Sequence, residues 1–349
     1  METVRFDGWT IGKGVPCFII AEAGVNHNGD PDTAKKLVEA AVDAGADAVK
    51  FQTFQADKVV SFKAPKAEYQ LQATDTGESQ FEMLRKLELS REVHYELQSY
   101  CSERNIMFLS TPFDEESVDF LDSLGIPIFK VGSGEITNFP LLQHIAEKNK
   151  PVILSTGMSS LVEVGQAVQQ FRRVGNEQII LLHCISNYPA NPGDANLNAM
   201  ATMRTAIKAP VGYSDHTPGI EVAIAAAALG ACVIEKHFTL DRLMEGPDHK
   251  ASLEPDELKT LVLGIRMVES ALGNGIKEPA ASEENTRAIA RRSLIAAKDI
   301  QIGQQLTSED VDIKRPGTGL PPWMRQYLVG LKANELIPAG TILSMEMFS

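Results

Sequence analysis

Two histidines, His216 and His237, follow the last two of a series of short apolar runs. Imidazole side chains at the ends of neighbouring strands can converge on one divalent cation and leave coordination positions open for substrate and water. The pair contains no thiolate, so Mn²⁺, or alternatively Mg²⁺ or Co²⁺, completed by oxygen ligands suits it better than structural zinc. The alternative is that each histidine is only a hydrogen-bonded polar residue. We predict a metal site at His216 and His237.

Two lysines, Lys50 and Lys130, interrupt or end apolar runs of the same kind. A lysine that faces a closed core is costly unless it meets an anion, because removing an unpaired charge from water is unfavourable. Hydroxyl groups at matching positions could donate hydrogen bonds to phosphate oxygens, namely those of Thr111, Ser133 and Ser214. The pattern indicates an anion site. Two alternatives stay open: a Schiff-base lysine, and lysines paired with the carboxylates of Glu22, Glu135 or Glu235.

These residues occupy the same place in a repeated unit. Eight times between Cys17 and Phe238 an apolar run breaks off into polar residues, with helical periodicity between the runs. The first helical stripe consists of Ala34, Leu37, Val38, Ala41 and Val42. Eight strand–helix units predict an α/β fold, a (β/α)8 or TIM barrel, whose chemistry lies at the C-terminal ends of the strands.

The chain is long enough for a second, smaller domain. It has 349 residues, whereas about 250 suffice for a barrel. We place the catalytic barrel at 1–275, a linker at 276–289 and a small β-rich domain at 290–349. Within the last segment, residues 297–307 are echoed by residues 333–344, a weak repeat that predicts a pseudo-symmetric β domain.

Composition excludes several classes of function. The net charge of −13 argues against binding to nucleic acid or to an anionic membrane surface. No run of about 20 apolar residues predicts a transmembrane helix, and the first residues lack the apolar stretch of a signal peptide. Four scattered cysteines, three of them in or beside apolar runs, suggest reduced core residues. We therefore expect a cytoplasmic protein.

The polar residues at the strand ends fall within short motifs that occur in a fixed order. They are IAEAGVNHNG at 20–29, VKFQT at 49–53, FLSTPF at 108–113, FKVGSGE at 129–135, LSTGM at 154–158, GYSDHT at 212–217, IEKHF at 234–238 and KRPG at 314–317. Over essentially its full length the chain resembles the bacterial sialic acid synthase family. Its last 60 residues resemble the antifreeze-like (SAF) domain of that family.

This resemblance implies a reaction and a set of roles. Phosphoenolpyruvate condenses with the open-chain aldehyde of an N-acylated mannosamine, N-acetylmannosamine in the first instance, to give N-acetylneuraminic acid and phosphate. The residues implied for phosphoenolpyruvate are Lys50, Thr111, Lys130, Ser133, Ser214 and, at the phosphate-facing position, Ser186. Those implied for the sugar are Glu22, Gln52, Tyr188, Asp248 and Arg315. Proton transfer is left among Glu22, Glu135 and Glu235, with Lys50 as a further catalytic residue.

The resemblance also implies an assembly, a domain-swapped homodimer in which Arg315 acts on the site of the partner subunit. His216 and His237 would hold the divalent metal, Mn²⁺ in the first instance. The departure from the family pattern is Ser186, which stands where some members have Asn, so the role of the neighbouring Asn187 stays open.

Other functions remain as alternatives. The same reaction on 2,4-diacetamido-2,4,6-trideoxymannose gives N,N'-diacetyllegionaminic acid, and the segments 54–80 and 188–196 would determine that choice. We expect 54–80, a polar excursion after the second strand, to form a lid or a wall of the site. A Schiff-base aldolase and a non-catalytic, ice-binding protein are the less favoured alternatives.

Overall fold

The computed structural model describes residues 2–66, 71, 74 and 77–349. They form two compact units, Met1–Gly273 and Asn274–Ser349, which are described separately below. Part of the excursion at 54–80, expected as a lid or wall, lies outside the described residues; its described parts include α2 (Ala56–Val59) and the start of α3 (Gln80–Lys86).

A hairpin of β1 (Thr3–Phe6) and β2 (Trp9–Gly12) precedes the barrel. Its two turn residues, Asp7 and Gly8, have φ of 43° and 79°, the left-handed pair that matches the twist of a tight hairpin. Val4 and Ile11 of the hairpin pack into the same apolar cluster as the first residues of the barrel strands. The hairpin therefore covers the N-terminal end of the barrel.

Eight parallel strands form the sheet of the first unit. They are β3 (Phe18–Gly24), β4 (Ala48–Thr53), β5 (Met107–Pro112), β6 (Phe129–Val131), β7 (Val152–Ser155), β8 (Ile179–Cys184), β9 (Val211–Asp215) and β10 (Val233–His237). Their order is β5-β4-β3-β10-β9-β8-β7-β6, and the two end strands β5 and β6 lie against each other. The predicted α/β barrel is confirmed.

Helices surround this sheet. Besides α2 and α3 they are α1 (Pro31–Ala44), α4 (Arg91–Glu103), α5 (Glu115–Leu124), α6 (Phe139–Glu147), α7 (Leu161–Arg173), α8 (Ala199–Ile207), α9 (Glu221–Ala228) and α10 (Pro255–Leu272). In α1 the carboxylate of Asp30 caps the free N–H groups of the first turn. Gly45, at φ 80°, ends the helix in the left-handed conformation that favours glycine.

Side chains of the strands alternate between two apolar clusters. On β3, Phe18 and Ile20 belong to the cluster inside the barrel, whereas Ile19, Ala21 and Ala23 pack against the helices. Both faces of a parallel barrel are buried, which explains why the strands are nearly continuous apolar runs. On each strand, the inward-facing side chains change character near the C-terminal end. Two positions after the last inward apolar residue or glycine comes a polar residue, or a cysteine on β8.

These eight inward positions form what we call the polar ring. One residue comes from each strand: Glu22, Lys50, Thr111, Lys130, Ser155, Cys184, Ser214 and Glu235. All of them are buried. Two residues further toward the C-terminal end lies the upper layer, which includes Gly24, Gln52, Gly157, Ser186, His216 and His237. The strand period of two therefore places the motifs of the sequence in two stacked layers.

The second unit is small and rich in bridges between extended segments. It contains α11 (Glu284–Ala290), β11 (Ser293–Ala296), β12 (Val311–Lys314) and α12 (Arg325–Leu328). The antiparallel bridge between Ile300 and Ile337 joins the two halves of the sequence repeat. Each half ends in a 3-10 turn, entered from Thr307 in the first and from Ser344 in the second.

Two further findings concern the helices and the cysteines of the described residues. None of their helices has the length and apolar character needed to cross a membrane. All four cysteines are buried and free of disulfide bonds.

Candidate active site

The polar ring contains a buried cluster of two lysines and two carboxylates. Lys50 Nζ lies 2.5 Å from Glu22 Oε2 and 3.7 Å from Glu235 Oε2, and it donates a hydrogen bond to Thr111 Oγ1 at 2.9 Å. Lys130 Nζ lies 3.5 Å from Glu235 Oε1. The lysines are thus paired with carboxylates, one of the two alternatives that the sequence left open. This pairing balances two positive charges against two negative ones.

The surroundings act differently on the two carboxylates. Burial raises the pKa of Glu22 above its usual range, although Lys50 works in the opposite direction. Burial also acts to raise the pKa of Glu235, but Lys130 and Lys50 outweigh it and lower that pKa. Ser214 Oγ donates a further hydrogen bond to Glu235 Oε1 at 2.8 Å. Glu22 can therefore take up a proton near neutral pH, whereas Glu235 stays ionised.

The third candidate carboxylate, Glu135, stands apart from this cluster. It belongs to the short 3-10 turn Ser133–Glu135 after β6 and is only partly buried. Its Oε2 accepts a hydrogen bond from Asn138 Nδ2 at 2.7 Å. That contact fixes the side chain along the turn that starts α6.

His216 and His237 lie side by side above the ring, with their ring centroids 5.6 Å apart. The Nδ1–H of His216 donates to the carbonyl oxygen of Ile185 at 2.7 Å, which leaves Nε2 with a free lone pair. Nδ1 of His237 is buried and has no hydrogen-bond partner in the described part of the chain. Burial lowers the pKa of both imidazoles, so both are neutral, as metal ligands must be.

The two imidazoles fit a divalent cation as part of a larger ligand set. Among the described residues no group of three or more His, Cys, Asp or Glu side chains stands ready to enclose an ion. The remaining positions would therefore be filled by water and substrate oxygens. Such a set would be of the open kind found in catalytic metal sites, in contrast to the closed set of a structural one.

The loop after β8 holds His216 from two sides. Besides the hydrogen bond to Ile185, the backbone N–H of Ala190 donates to the carbonyl oxygen of His216 at 2.8 Å. Tyr188, in the same loop, has its ring centroid 4.2 Å from that of His216 and 5.7 Å from that of His237. The loop thus brings Tyr188, a predicted sugar contact, against both predicted metal ligands.

Three side chains of the barrel mouth meet at Gly24. A β-bulge at this point shifts the register of β3 against β4, and Gly24 adopts φ of 52°. A Cβ atom there would lie 3.2 Å from Glu22 Oε1, 3.4 Å from His237 Cε1 and 3.5 Å from Gln52 Nε2. Glu22 and Gln52, both predicted to contact the sugar, therefore converge with His237 on one small space.

A second meeting point is Gly157, on the loop after β7. Its N–H donates to Ser133 Oγ at 2.9 Å, and Ser133 Oγ lies 3.1 Å from Cys184 Sγ. A Cβ atom on Gly157 would come within 2.1 Å of Ser186 Oγ. The structure thus brings together Ser133 and Ser186, two predicted phosphate contacts.

Asp248 and Arg315 lie outside these two meeting points. Asp248 is buried on the loop after β10, and burial raises its pKa to about 6. Arg315 belongs to the second unit, where it is exposed and its Nε donates to the carbonyl oxygen of Ala290 at 3.1 Å.

Sequence reasoning missed several residues that support the site. Lys130 Nζ donates to Ser155 Oγ at 2.7 Å, and both Ser155 and Cys184 belong to the polar ring. Their position two residues after an inward apolar residue was the available signal. Lys236, on the outer face of β10, forms a buried ion pair with Asp215 at 2.6 Å. Asp215 Oδ1 in turn accepts the N–H of Thr217 at 3.0 Å, which fixes the turn that carries His216.

A parallel barrel with charged and hydroxyl side chains at the C-terminal ends of its strands is the architecture of a TIM-barrel enzyme. The family model described as the NeuB family matches residues 37–277, and the SAF domain model matches residues 291–349. The chain belongs to the NeuB family. The resemblance deduced from the motifs is thereby confirmed, as is the small C-terminal domain.

The chain is similar to characterised proteins along nearly all of its length. It is 50% identical to the N,N'-diacetyllegionaminic acid synthase of Legionella pneumophila, covering 96% of this chain and 95% of that protein. The enzyme of the same name from Campylobacter jejuni is 53% identical over 89% of this chain and 94% of that protein. A crystal structure of N-acetylneuraminic acid synthetase from Leptospira borgpetersenii aligns with a TM-score of 0.72 at 36% identity, over 82% of this chain and 96% of that one.

Proposed function

We propose that this enzyme condenses phosphoenolpyruvate with an N-acylated mannosamine-type sugar to form a nine-carbon 2-keto acid and phosphate. The observation that carries the proposal is the stacking of two layers inside one barrel mouth. A cation-bearing polar ring lies directly below a pair of neutral imidazoles. A dianionic donor suits the lower layer and a sugar aldehyde suits the upper one.

The donor end of the site is built for a ligand with two anionic groups. Lys50 and Lys130 supply two cations. The hydroxyl groups of Thr111 and Ser214 lie in the same ring, and those of Ser133 and Ser186 meet at Gly157. Each hydrogen bond between such a cation and the ligand contributes about 1.5–3 kcal/mol. In the structure, Glu22 and Glu235 neutralise the lysines. Phosphoenolpyruvate would take over part of that role, whereas pyruvate carries only one anionic group.

The acceptor end is the upper layer. His216 and His237 would hold a divalent metal, Mn²⁺ in the first instance, which when bound supplies Lewis acidity for polarising the sugar aldehyde. Gln52, Tyr188 and Glu22 converge beside these histidines, where they can orient the hydroxyl groups of an open-chain sugar. Asp248 and, from the partner subunit of a domain-swapped homodimer, Arg315 complete the proposed sugar contacts.

The chain's residues then have separate tasks in the bond changes. C3 of phosphoenolpyruvate attacks the aldehyde carbon, water adds at C2, and phosphate leaves with cleavage of the C–O bond. Lys50 and Lys130 stabilise the negative charge on the donor throughout. Glu22 is suited to exchange protons, because burial raises its pKa. Glu235 keeps its negative charge beside the lysines, which suits an electrostatic role better than proton transfer.

The acceptor sugar has two candidates. N-acetylmannosamine would give N-acetylneuraminic acid, whereas 2,4-diacetamido-2,4,6-trideoxymannose would give N,N'-diacetyllegionaminic acid. The names of the Legionella and Campylobacter relatives support the second sugar. The name of the Leptospira structure supports the first.

Phosphate release tests the proposal directly. The protein, with Mn²⁺ present, is mixed with phosphoenolpyruvate and each sugar in turn, and the products are identified by mass spectrometry. Release of phosphate with a nine-carbon acid as product supports the proposal, and the ratio of kcat/KM values selects the sugar. Efficient turnover of pyruvate, with trapping of the enzyme by borohydride, would instead establish the Schiff-base aldolase.

A further inference from the structure

The polar ring contains a buried thiol that the proposed reaction leaves without a task. Cys184 points into the barrel mouth from β8 and is 3% exposed. Its Sγ lies 3.1 Å from Ser133 Oγ. Burial raises the pKa of the Cys184 thiol, although Ser133 and Lys130 act in the opposite direction. The sulfur therefore carries a hydrogen that it can donate.

The two hydrogen-bond contacts of Ser133 Oγ leave its hydroxyl group able to bind one more partner. A serine hydroxyl has one hydrogen to donate and two lone pairs that accept. The N–H of Gly157 occupies one lone pair at 2.9 Å. When the Cys184 thiol donates into the other, the hydroxyl hydrogen of Ser133 is free for a third partner. When Ser133 instead donates to the sulfur, it has no hydrogen left for a ligand.

A third partner of Ser133 would lie on the side of Ser186, the residue predicted to face the phosphate. Ser186 Oγ stands against Gly157, which has no Cβ to separate the two serines. Lys130 is close enough to act on the pKa of the Cys184 thiol. An anion bound between Lys130 and the two serines would therefore receive the hydroxyl hydrogen of Ser133.

We propose that Cys184 is a positioning residue for the donor phosphate: its thiol donates to Ser133 Oγ and thereby directs the Ser133 hydroxyl hydrogen onto a phosphate oxygen. This inference rests on the proposed function. It requires no covalent or redox step at the sulfur, because the thiol acts only as a hydrogen-bond donor.

Variants at position 184 separate the hydrogen bond from packing. Cys184→Ala removes the donor, Cys184→Val removes the donor but fills the space, and Cys184→Ser keeps a donor. We expect the first two to raise the KM for phosphoenolpyruvate and the inhibition constant of inorganic phosphate about fivefold, as for one lost hydrogen bond. The kcat and the KM for the sugar should not change. Cys184→Ser should recover most of the lost affinity.

Cys101→Ala is the matched control, because Cys101 is a fully buried thiol in α4, outside the polar ring. It should leave all four constants unchanged. Circular dichroism establishes that each variant is folded, and calorimetry measures phosphate binding without turnover.

The outcomes distinguish the inference from the proposed function. An unchanged KM for phosphoenolpyruvate in both Cys184→Ala and Cys184→Val would overturn the inference. A failure of Cys184→Ser to recover affinity, or an equal rise of the KM for the sugar, would also overturn it by showing a packing role. If the wild-type enzyme consumes no phosphoenolpyruvate, it is the proposed function that fails, before any variant is measured.

Discussion

Glu22 and Glu235 carry the same carboxyl group, and they differ in the residues that face each of them. Both are buried within reach of Lys50, yet only Glu235 has a second lysine beside it and a serine hydroxyl donating to it. The pKa of Glu22 is raised and that of Glu235 is lowered as a result. The opposite pKa shifts of these two carboxylates therefore come from the neighbouring side chains that the other strands bring. They cannot be deduced from residue type.

If Lys130 binds the donor as proposed, its replacement should weaken the binding of phosphoenolpyruvate much more than that of the sugar. Lys130→Ala should raise the KM for phosphoenolpyruvate about 10- to 100-fold, the loss expected for charge-assisted hydrogen bonds. Binding of the sugar should remain nearly intact, because none of the proposed sugar contacts is a hydrogen-bond or ion-pair partner of Lys130. Steady-state kinetics with each substrate varied in turn measures both constants, and Lys259, exposed on α10, provides a control as Lys259→Ala. No change on replacing Lys130 would contradict the donor assignment.

The metal proposal concerns His216 and His237. Exhaustive chelation should abolish turnover, and Mn²⁺ should restore it. His237→Ala should remain folded but bind Mn²⁺ at least about tenfold more weakly, because even residues that only support a ligand cause a loss of that size. Calorimetric titration of the metal-free protein measures the affinity, and the helix residue His144 supplies the control variant His144→Ala. Full activity of rigorously metal-free enzyme would refute the proposal.

At the element scale, apolar runs and helical stripes were sufficient to predict the barrel, because both faces of its strands are buried and each helix presents one apolar face. The motifs placed His237 at the C-terminal end of β10, whereas Lys50 lies within β4, which continues to Thr53. Ser155 and Cys184 escaped notice because their partners, Lys130 and Ser133, lie on other segments of the chain. Which side chains meet across strands depends on register, and a sequence does not state the register.

We expect the loop after β3 to make the stability of the barrel sensitive to acid. His27 is buried, and its Nδ1 accepts the N–H of Gly29 at 2.9 Å. Burial lowers its pKa to about 4 from a usual value of 6.5. The unfolded chain therefore binds the proton more readily, so the stabilising contribution is present above pH 6.5 and is lost as the pH falls toward 4.

Between pH 7 and pH 5 this one group should remove about 2 kcal/mol from the free energy of unfolding. His27→Gln, which cannot take up the proton, should reduce the loss by about that amount. Urea unfolding of the two proteins at both pH values gives the comparison. Parallel loss of stability in His27→Gln and wild type would assign the acid sensitivity to other groups.

At the scale of the whole molecule, we propose that Arg315 of the second unit acts on the active site of the partner subunit. Arg315 is exposed, and its loop continues into Pro316, Pro321 and Pro322, which restrict the backbone. A guanidinium group on such a loop can hydrogen-bond an acyl carbonyl of the sugar with fixed geometry. The weak repeat that predicted this unit is visible as the bridge between Ile300 and Ile337.

Mixing two inactive variants tests whether Arg315 acts on the partner subunit. Arg315→Ala and His237→Ala should each be nearly inactive as folded homodimers. In their heterodimer one of the two sites regains both residues, so up to about a quarter of wild-type activity should return to a randomly mixed sample. A purified heterodimer without activity would place Arg315 in its own subunit's site or outside any site.

Because the hairpin covers the N-terminal end of the barrel, we expect ligands to enter at the opposite end. Val4 and Ile11 close the bottom, the lysines lie in the polar ring, and the histidines stand one layer nearer the opening. A molecule resting on the histidines therefore lies across the path to the lysines. If phosphoenolpyruvate binds at the lysines as proposed, we expect an ordered reaction in which this donor enters the barrel before the sugar does.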